Sequence, residues 1–162
     1  MPIYMKIDGV DGSVTAAGHE KWIELDSAQL GVNRHVTSPT GRGANREAAV
    51  PAVSEIVVTK NLDCASTTLF KLSLWGEGKK TTIDFCKTDK DQFEKYLSVE
   101  LENTLISSYS VSGTGGDSNE RPMEALALNF TKITYSTTAM DPANKTAKPD
   151  RGMWDLGQGK GG

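Results

Sequence analysis

Cysteine and histidine are scarce in this chain of 162 residues, which contains two of each. The two cysteines, Cys64 and Cys86, cannot build a disulfide framework, so we expect both thiols to be reduced. His19 and His35 are the only imidazoles and have no tight spacing to carboxylates, which leaves few ways to bind a metal ion. We therefore expect neither a metal site nor a cofactor.

Long apolar runs and a strong charge of one sign are also missing. No segment approaches the roughly 20 apolar residues of a membrane helix, so we expect no membrane insertion. Residues 1–10 do not combine a basic segment with an apolar one, which predicts synthesis in the cytosol without a cleaved secretory signal. Eighteen basic and 21 acidic side chains give a net charge of -3, whereas nucleic-acid binding usually needs a basic domain.

The sequence holds few candidates for catalysis. Cys64 could pair with His19 or His35, and the start of a helix would lower the pKa of its thiol. A short residue at that position is, however, common packing. The glycines of residues 113–116 (GTGG) lack the Gly-Lys-Ser/Thr continuation of a phosphate-binding loop. We expect the protein not to be an enzyme, with a Cys64-dependent enzyme as one alternative.

Alternation of apolar and polar residues predicts strands near residues 3–7, 21–26, 53–60 and 81–88. One short helix is expected, with Asp63 as its cap, Gly76 just past its end, and an apolar stripe of Leu69, Leu72 and Trp75. The sequence thus predicts a single mainly β domain over residues 1–162, either a closed barrel or two packed sheets.

The longest alternation runs over residues 97–112. Six of its eight odd positions are apolar, against one of the eight even positions. A helix cannot keep this phase over such a length, so the pattern predicts one very long bent strand or two nearly continuous strands.

Two segments have no evident use in a monomer. Residues 36–51 show no apolar period, and loops longer than about 12–15 residues are usually functional or disordered. Pro39 and Pro51 predict that this loop forms no sheet of its own. The extension of residues 141–162 is rich in Pro, Gly and Lys, and Trp154 is the expected anchor that holds it to the domain.

Six segments in order resemble the Hcp family, the tube subunits of the bacterial type VI secretion system. They are residues 1–14 (MPIYMKIDGVDGSV), 18–25 (GHEKWIEL), 55–60 (EIVVTK), 107–116 (SSYSVSGTGG), 122–135 (PMEALALNFTKITY) and 152–156 (GMWDL). The resemblance implies two antiparallel sheets in a barrel-like sandwich with one short α-helix on its side. It also implies hexameric rings that stack into a tube inside a contractile sheath, with a VgrG spike at the tip and effector proteins in the lumen.

The resemblance also suggests where assembly and cargo residues lie. Ala28, Gln29 and Leu30 are expected near the inner wall, in a segment (SAQLG) that departs from the larger aromatic residues of many relatives. Arg42, Arg46 and Glu47 are charged residues of the long loop and are expected to contact a stacked ring. The resemblance implies a cytoplasmic protein that is later secreted. The main alternative is a monomeric β-sandwich that binds a carbohydrate or peptide on its loops.

Overall fold

The computed structural model describes residues 1–37, 47–89, 92–117, 119–138 and 149–162. One helix, α1 (Ser66–Trp75), is present among these residues. The strands are β1 (Ile3–Ile7), β2 (Ile23–Leu25), β3 (Ser27–Gln29), β4 (Val32–Asn33), β5 (Val36–Thr37), β6 (Glu47–Ala48), β7 (Ala52–Val53), β8 (Ile56–Asn61), β9 (Lys79–Asp89), β10 (Gln92–Ser112), β11 (Met123–Asn129), β12 (Lys132–Thr137), β13 (Asp150–Asp155) and β14 (Lys160–Gly161).

The strands form two antiparallel groups that share β10. The first group, called the wide sheet below, has the order β2-β1-β9-β10-β12-β13-β14. The second group, the narrow sheet, has the order β10-β11-β8-β3. β10 belongs to the wide sheet through its first half and to the narrow sheet through residues 105–112.

The prediction of a mainly β protein with one short helix is confirmed, but the barrel-like closure is not. β2 and β3 connect the two sheets, and the amide of Asp26 between them donates a hydrogen bond to the carbonyl of Thr59. The strand ladder changes partner at this point, because β2 pairs with β1 and β3 pairs with β8. Among the described residues, the sheets therefore do not close into a barrel.

The hydrophobic core lies between the two sheets and under α1. It contains Met5, Ile23, Val58, Leu69, Leu101, Leu126 and Leu128 among its most buried side chains. Each such side chain stabilises the fold by about 1.5–3 kcal/mol relative to an exposed one. The predicted helical stripe is right for Leu69 and Leu72, which pack into the core, and wrong for Trp75, which is 69% exposed.

The helix ends at Gly76 as the sequence predicted, but its N-cap residue is Ala65 and not Asp63, and it has no side-chain cap hydrogen bond. The carboxylate of Asp63 accepts a hydrogen bond of 2.9 Å from the amide of Ala65, immediately before the first helical turn. At the other end, the amide of Gly76 donates to the carbonyl of Leu72 at 3.0 Å. Asp63 thus orders the turn that leads into α1, and Gly76 ends the helix.

β10 is the single long strand that the alternation predicted, but its pairing register shifts three times, first between Lys95 and Leu97. Asn103 has a left-handed backbone with φ of 52°, and the pairing register shifts between Leu101 and Thr104 and again between Ile106 and Ser108. As a result the buried side of the strand moves from odd to even positions and back. Leu105, predicted to be on the core side, is exposed instead.

The expectation that residues 36–51 form no sheet is wrong at the ends of this segment. The β3–β8 hairpin continues outward through two short ladders, β4 with β7 and then β5 with β6. We call these four strands the β-arm. Pro51 lies between β6 and β7 and therefore occupies no ladder position, whereas Pro39 lies outside the described residues.

The last part of the chain is held by strand pairing. β13 lies between β12 and β14, with Ile133 opposite Trp154. Trp154 is partly buried and packs against the core, as expected of an anchor. The amide and carbonyl of Gly162 both bond to Met153. We call β12, β13 and β14 the wing, because they extend the wide sheet beyond β10.

Candidate functional site

The outward face of the narrow sheet is a continuous surface of small, uncharged side chains. Directly opposed residues form two rows across its four strands. The rows are Ser108–Ala127–Val57–Gln29 and Ser110–Ala125–Thr59–Ser27. The opposite side of the same strands carries Val58, Leu126 and Leu128 into the core, so alternation places these residues outside. We call this surface the neutral face.

The structure separates the three residues predicted near an inner wall. Gln29 is exposed and belongs to the neutral face, opposite Val57. Ala28 lies opposite Val58 and packs against the core, and Leu30 also packs inward. Successive residues of a strand point to opposite faces, which explains why only the middle residue of this segment reaches the neutral face.

The narrow sheet has two open edges in the part of the chain that the structure describes. β3 pairs with β8 on one side only. Beyond Thr104, β10 pairs with β11 on one side only, because β9 begins at Lys79, opposite Thr104. Unpaired strand edges bind other strands readily, so a sheet with two open edges can be extended by neighbours on both sides.

The charged residues predicted for ring stacking lie on or beyond the β-arm. Arg42 and Arg46 fall outside the described residues. Glu47 begins β6, where its backbone pairs with Thr37. Arg34, between β4 and β5, donates a hydrogen bond of 3.1 Å to the carbonyl of Ala49. The stacking contacts of the three predicted residues remain a prediction.

A buried ion pair holds the narrow sheet and α1 together. Lys60 on β8 and Glu124 on β11 are both fully buried, and Lys60 Nζ lies 2.5 Å from Glu124 Oε2. The same ammonium group contacts Asp63 Oδ1 at 2.9 Å, before the helix. Ser66, the first residue of α1, donates to Glu124 Oε2 at 2.8 Å. One lysine thus connects two strands and the start of the helix.

Tyr109 completes this polar cluster from β10. Its hydroxyl donates to Glu124 Oε1, and burial together with this hydrogen bond raises the pKa of Tyr109. Sequence reasoning missed the cluster, although its signal was present. Lys60 and Glu124 share the alternation phase of the core residues Val58 and Leu126, so each charged residue lies on the core side of its strand.

The structure does not bring Cys64 to either histidine. Cys64 is exposed, and its sulfur lies 3.7 Å from the carbonyl of Asp11. Instead, His19 contacts Cys86 at 3.8 Å and Asp84 at 2.9 Å, and all three residues are buried. Burial and, secondarily, Asp84 raise the pKa of Cys86 to about 11. This thiol stays protonated at neutral pH, so the arrangement does not provide an activated nucleophile.

The two thiols are expected to differ strongly in alkylation. At pH 8 a pKa of about 11 leaves about one Cys86 thiol in a thousand ionised, and the group is also inaccessible. We expect iodoacetamide to modify Cys64 alone in the native protein and both cysteines after unfolding. Peptide mass spectrometry gives the site, and Cys64→Ser is the control that should remain unmodified. Native labelling of Cys86 would show that its pocket opens.

Within the described ranges, no three His, Cys, Asp or Glu residues are placed to hold a metal ion. The described part of the chain also contains no helix that is long and apolar enough to cross a membrane. The features that remain for a functional site are the neutral face, its two open edges and the β-arm.

Comparisons with known proteins agree on one family. Residues 4–136 match the model of a family described as type VI secretion system effector, Hcp. The fold is similar to that of a type six secretion system protein with 27% identity, 99% of each chain covered and a TM-score of 0.91. It is also similar to Hcp1 from Salmonella typhimurium, with 21% identity, 99% of this chain and 97% of that chain covered, and a TM-score of 0.77. No curated protein sequence matches the chain significantly.

Proposed function

The chain belongs to the Hcp family of type VI secretion proteins, and from this premise we propose that six copies form the ring of a secretion tube. The family match makes it a secreted structural protein of that system. In the proposed function, rings stack into an inner tube, a contractile sheath propels the tube, a VgrG spike caps it, and effector proteins travel in the lumen. The protein acts without catalysis, and it is cytoplasmic before secretion.

The observation that carries the ring is the narrow sheet with its two open edges. A ring needs head-to-tail contacts between two different surfaces, which close by rotation. The edge of β3 and the edge of β10 beyond Thr104 are such a pair. If β3 of one copy meets β10 of the next, every open edge of this sheet is covered, and uncontrolled strand pairing is prevented.

The neutral face then becomes the inner wall of the ring. Side chains such as Ser108, Ala127 and Gln29 would line the channel, while Ala28 and Leu30 support the wall from the core side. A surface without charge or large aromatic groups offers few strong contacts, so it suits the passage of varied effector proteins. In this arrangement Gln29 faces the channel, as predicted for an inner-wall residue, whereas Ala28 and Leu30 lie behind the wall on its core side.

Native mass spectrometry of the purified protein tests the ring directly. We expect one dominant species of six chains at micromolar concentration, with a central channel in negative-stain images. A protein that remains monomeric under these conditions would falsify the ring and favour the alternative of a monomeric binding module.

The β-arm is proposed to contact the next ring of the stack through Arg42, Arg46 and Glu47. Exposed ion pairs contribute only about 0.2–1 kcal/mol each, but a ring repeats every contact around its axis. Such contacts weaken with salt, because the screening length falls to roughly 3 Å at 1 M.

Replacing residues 41–47 with a short Gly-Ser linker is expected to leave rings intact and to abolish stacking and secretion. Electron microscopy at low and high salt measures the tubes, and native mass measures the rings. The same replacement of residues 114–117 tests the alternative position of the stacking contacts and should leave the tubes intact if the β-arm carries them. Normal tubes from the arm variant would place the stacking contacts in residues 113–123 or in the C-terminal extension.

A further inference from the structure

An apolar cleft separates the β-arm from the wing. Its volume is about 400 Å³. The arm contributes Leu30, Val32 and Val53 to one side, and Ile133, Met153 and Trp154 of the wing form the other side. The arm continues from β3 and β8 of the narrow sheet, where β8 pairs with β11. The wing belongs to the wide sheet, where β13 pairs with β12. The arm and the wing therefore extend from different sheets. The cleft begins where β3 ends, since Leu30 directly follows Gln29.

A convex apolar surface lies on α1. Phe70, Leu74 and Trp75 are all exposed, while Leu69 of the same helix is completely buried. Phe70 and Leu74 are four residues apart and therefore lie on one helical face. The ring of Phe70 contacts that of Tyr109 on β10, with centroids 5.7 Å apart. Trp75 is the last residue of the helix and directly follows Leu74. We call these three side chains the apolar ridge, which lies beside the second half of β10 at Phe70.

The cleft and the ridge each adjoin one open edge of the narrow sheet. The cleft lies next to the open edge of β3. The ridge lies next to the open edge of β10, where Phe70 contacts Tyr109. The ring contact proposed above joins these two edges from neighbouring copies. The same contact therefore brings the ridge of one copy to the cleft of the next.

We propose that the apolar ridge of α1 docks into the apolar cleft of the adjacent copy and fixes the angle between neighbouring subunits. This inference rests on the proposed ring. Strand pairing alone does not fix the angle between two subunits, because paired strands can twist relative to each other over a range of angles. A side-chain cluster seated in a shaped cleft removes that freedom, and Trp is among the residue types that most often dominate such interfaces. The two surfaces differ, as a head-to-tail contact requires.

Filling the cleft tests the proposal from one side. Gly152 lines the cleft, and a Cβ at this position meets no atom within 4 Å, so Gly152→Leu is expected to fold normally. Its side chain would occupy the space that the ridge needs. We expect ring formation to weaken by about tenfold or more, as for a lost interface hot spot. Gly115→Leu is the matched control, because its Cβ also meets open space but lies outside the cleft.

Truncating the ridge tests the proposal from the other side. Trp75→Ala removes a side chain that is 69% exposed in the single chain, so the thermal stability of the dissociated chain should change little. We expect the same loss of rings as for Gly152→Leu. Lys71→Ala, an exposed residue of the same helix, should assemble as the unaltered protein does.

A cross-link shows whether the two surfaces meet. In a Cys64→Ser background, Met153→Cys chains mixed with Trp75→Cys chains should form disulfide-linked dimers, and neither variant alone should do so. If the unaltered protein forms rings, and Gly152→Leu and Trp75→Ala form them equally well without cross-linking, the docking proposal is overturned and the ring stands. If the unaltered protein forms no ring at all, the proposed function fails first.

Discussion

Replacing Lys60 with Met is expected to lower the free energy of unfolding by about 3–5 kcal/mol, because it leaves a buried carboxylate without its cation. Glu124 is fully buried, and Lys60 is the cation that contacts it. For a protein of this length, each kcal/mol shifts the melting temperature by roughly 2–4 °C. Thermal unfolding at one fixed protein concentration measures the effect, since assembly makes stability depend on concentration.

A second variant distinguishes the destabilisation caused by the unpaired charge from the destabilisation caused by lost packing. Glu124→Gln added to Lys60→Met removes the buried negative charge and keeps one carbonyl oxygen, which can accept from either Ser66 or Tyr109. The other hydroxyl can instead accept a hydrogen bond from the amide NH2 group. We expect the double variant to recover much of the lost stability. Lys80→Met breaks an exposed ion pair with Glu100 at 3.5 Å and should change stability by less than about 1 kcal/mol. Equal losses from Lys60→Met and Lys80→Met would contradict this account.

Alternation predicted most of the fold because it identifies the residues that face the core. In β1, β9 and the first half of β10 these residues are buried as expected, although Tyr4, Asp84 and Cys86 on the other face are buried too. Leu69 and Leu72 mark the buried side of α1. The resemblance to the Hcp family, drawn from six short segments, is confirmed by the family match.

The errors have physical causes that a residue pattern does not carry. In β10, Asn103 adopts a left-handed backbone, and each register shift moves the following side chains to the other face. A period-two pattern assumes a regular strand, so Leu105 was placed on the core side and is exposed. Trp75 was assigned to the core side of α1 because it is apolar and continues the helical spacing of Leu69 and Leu72. Large apolar residues can, however, also belong to an exposed surface.

The candidate site was only partly visible in the sequence. The neutral face consists of Ser, Thr, Ala, Val and Gln residues, which carry no signal individually. Its character depends on rows such as Ser110–Ala125–Thr59–Ser27, which bring together four distant segments. Open edges are likewise a property of strand order. The inner-wall position of residues 28–30 stays a prediction, and only the register shows that Gln29 alone of the three reaches the neutral face.

Gly12 is expected to tolerate no side chain, although it lies outside every strand. A Cβ there would lie 2.2 Å from the carbonyl oxygen of Trp22, which is a backbone atom and cannot rotate away. The amide of Gly12 also donates to the carbonyl of Lys21 at 2.8 Å, so the two segments are held close together. The loop between them carries His19, which closes over the sheet by bonding to Asp84 at 2.9 Å.

Gly12→Ala should therefore displace this loop and lower the free energy of unfolding by about 1–3 kcal/mol, the usual cost of overpacking. Displacement would also expose Cys86, which lies 3.8 Å from His19, so its alkylation by iodoacetamide should accelerate in the folded variant. Gly115→Ala is the control, because its Cβ meets no atom within 4 Å. A Gly12→Ala protein with unchanged melting temperature and a fully protected Cys86 would show that the loop can shift without releasing the His19 contact.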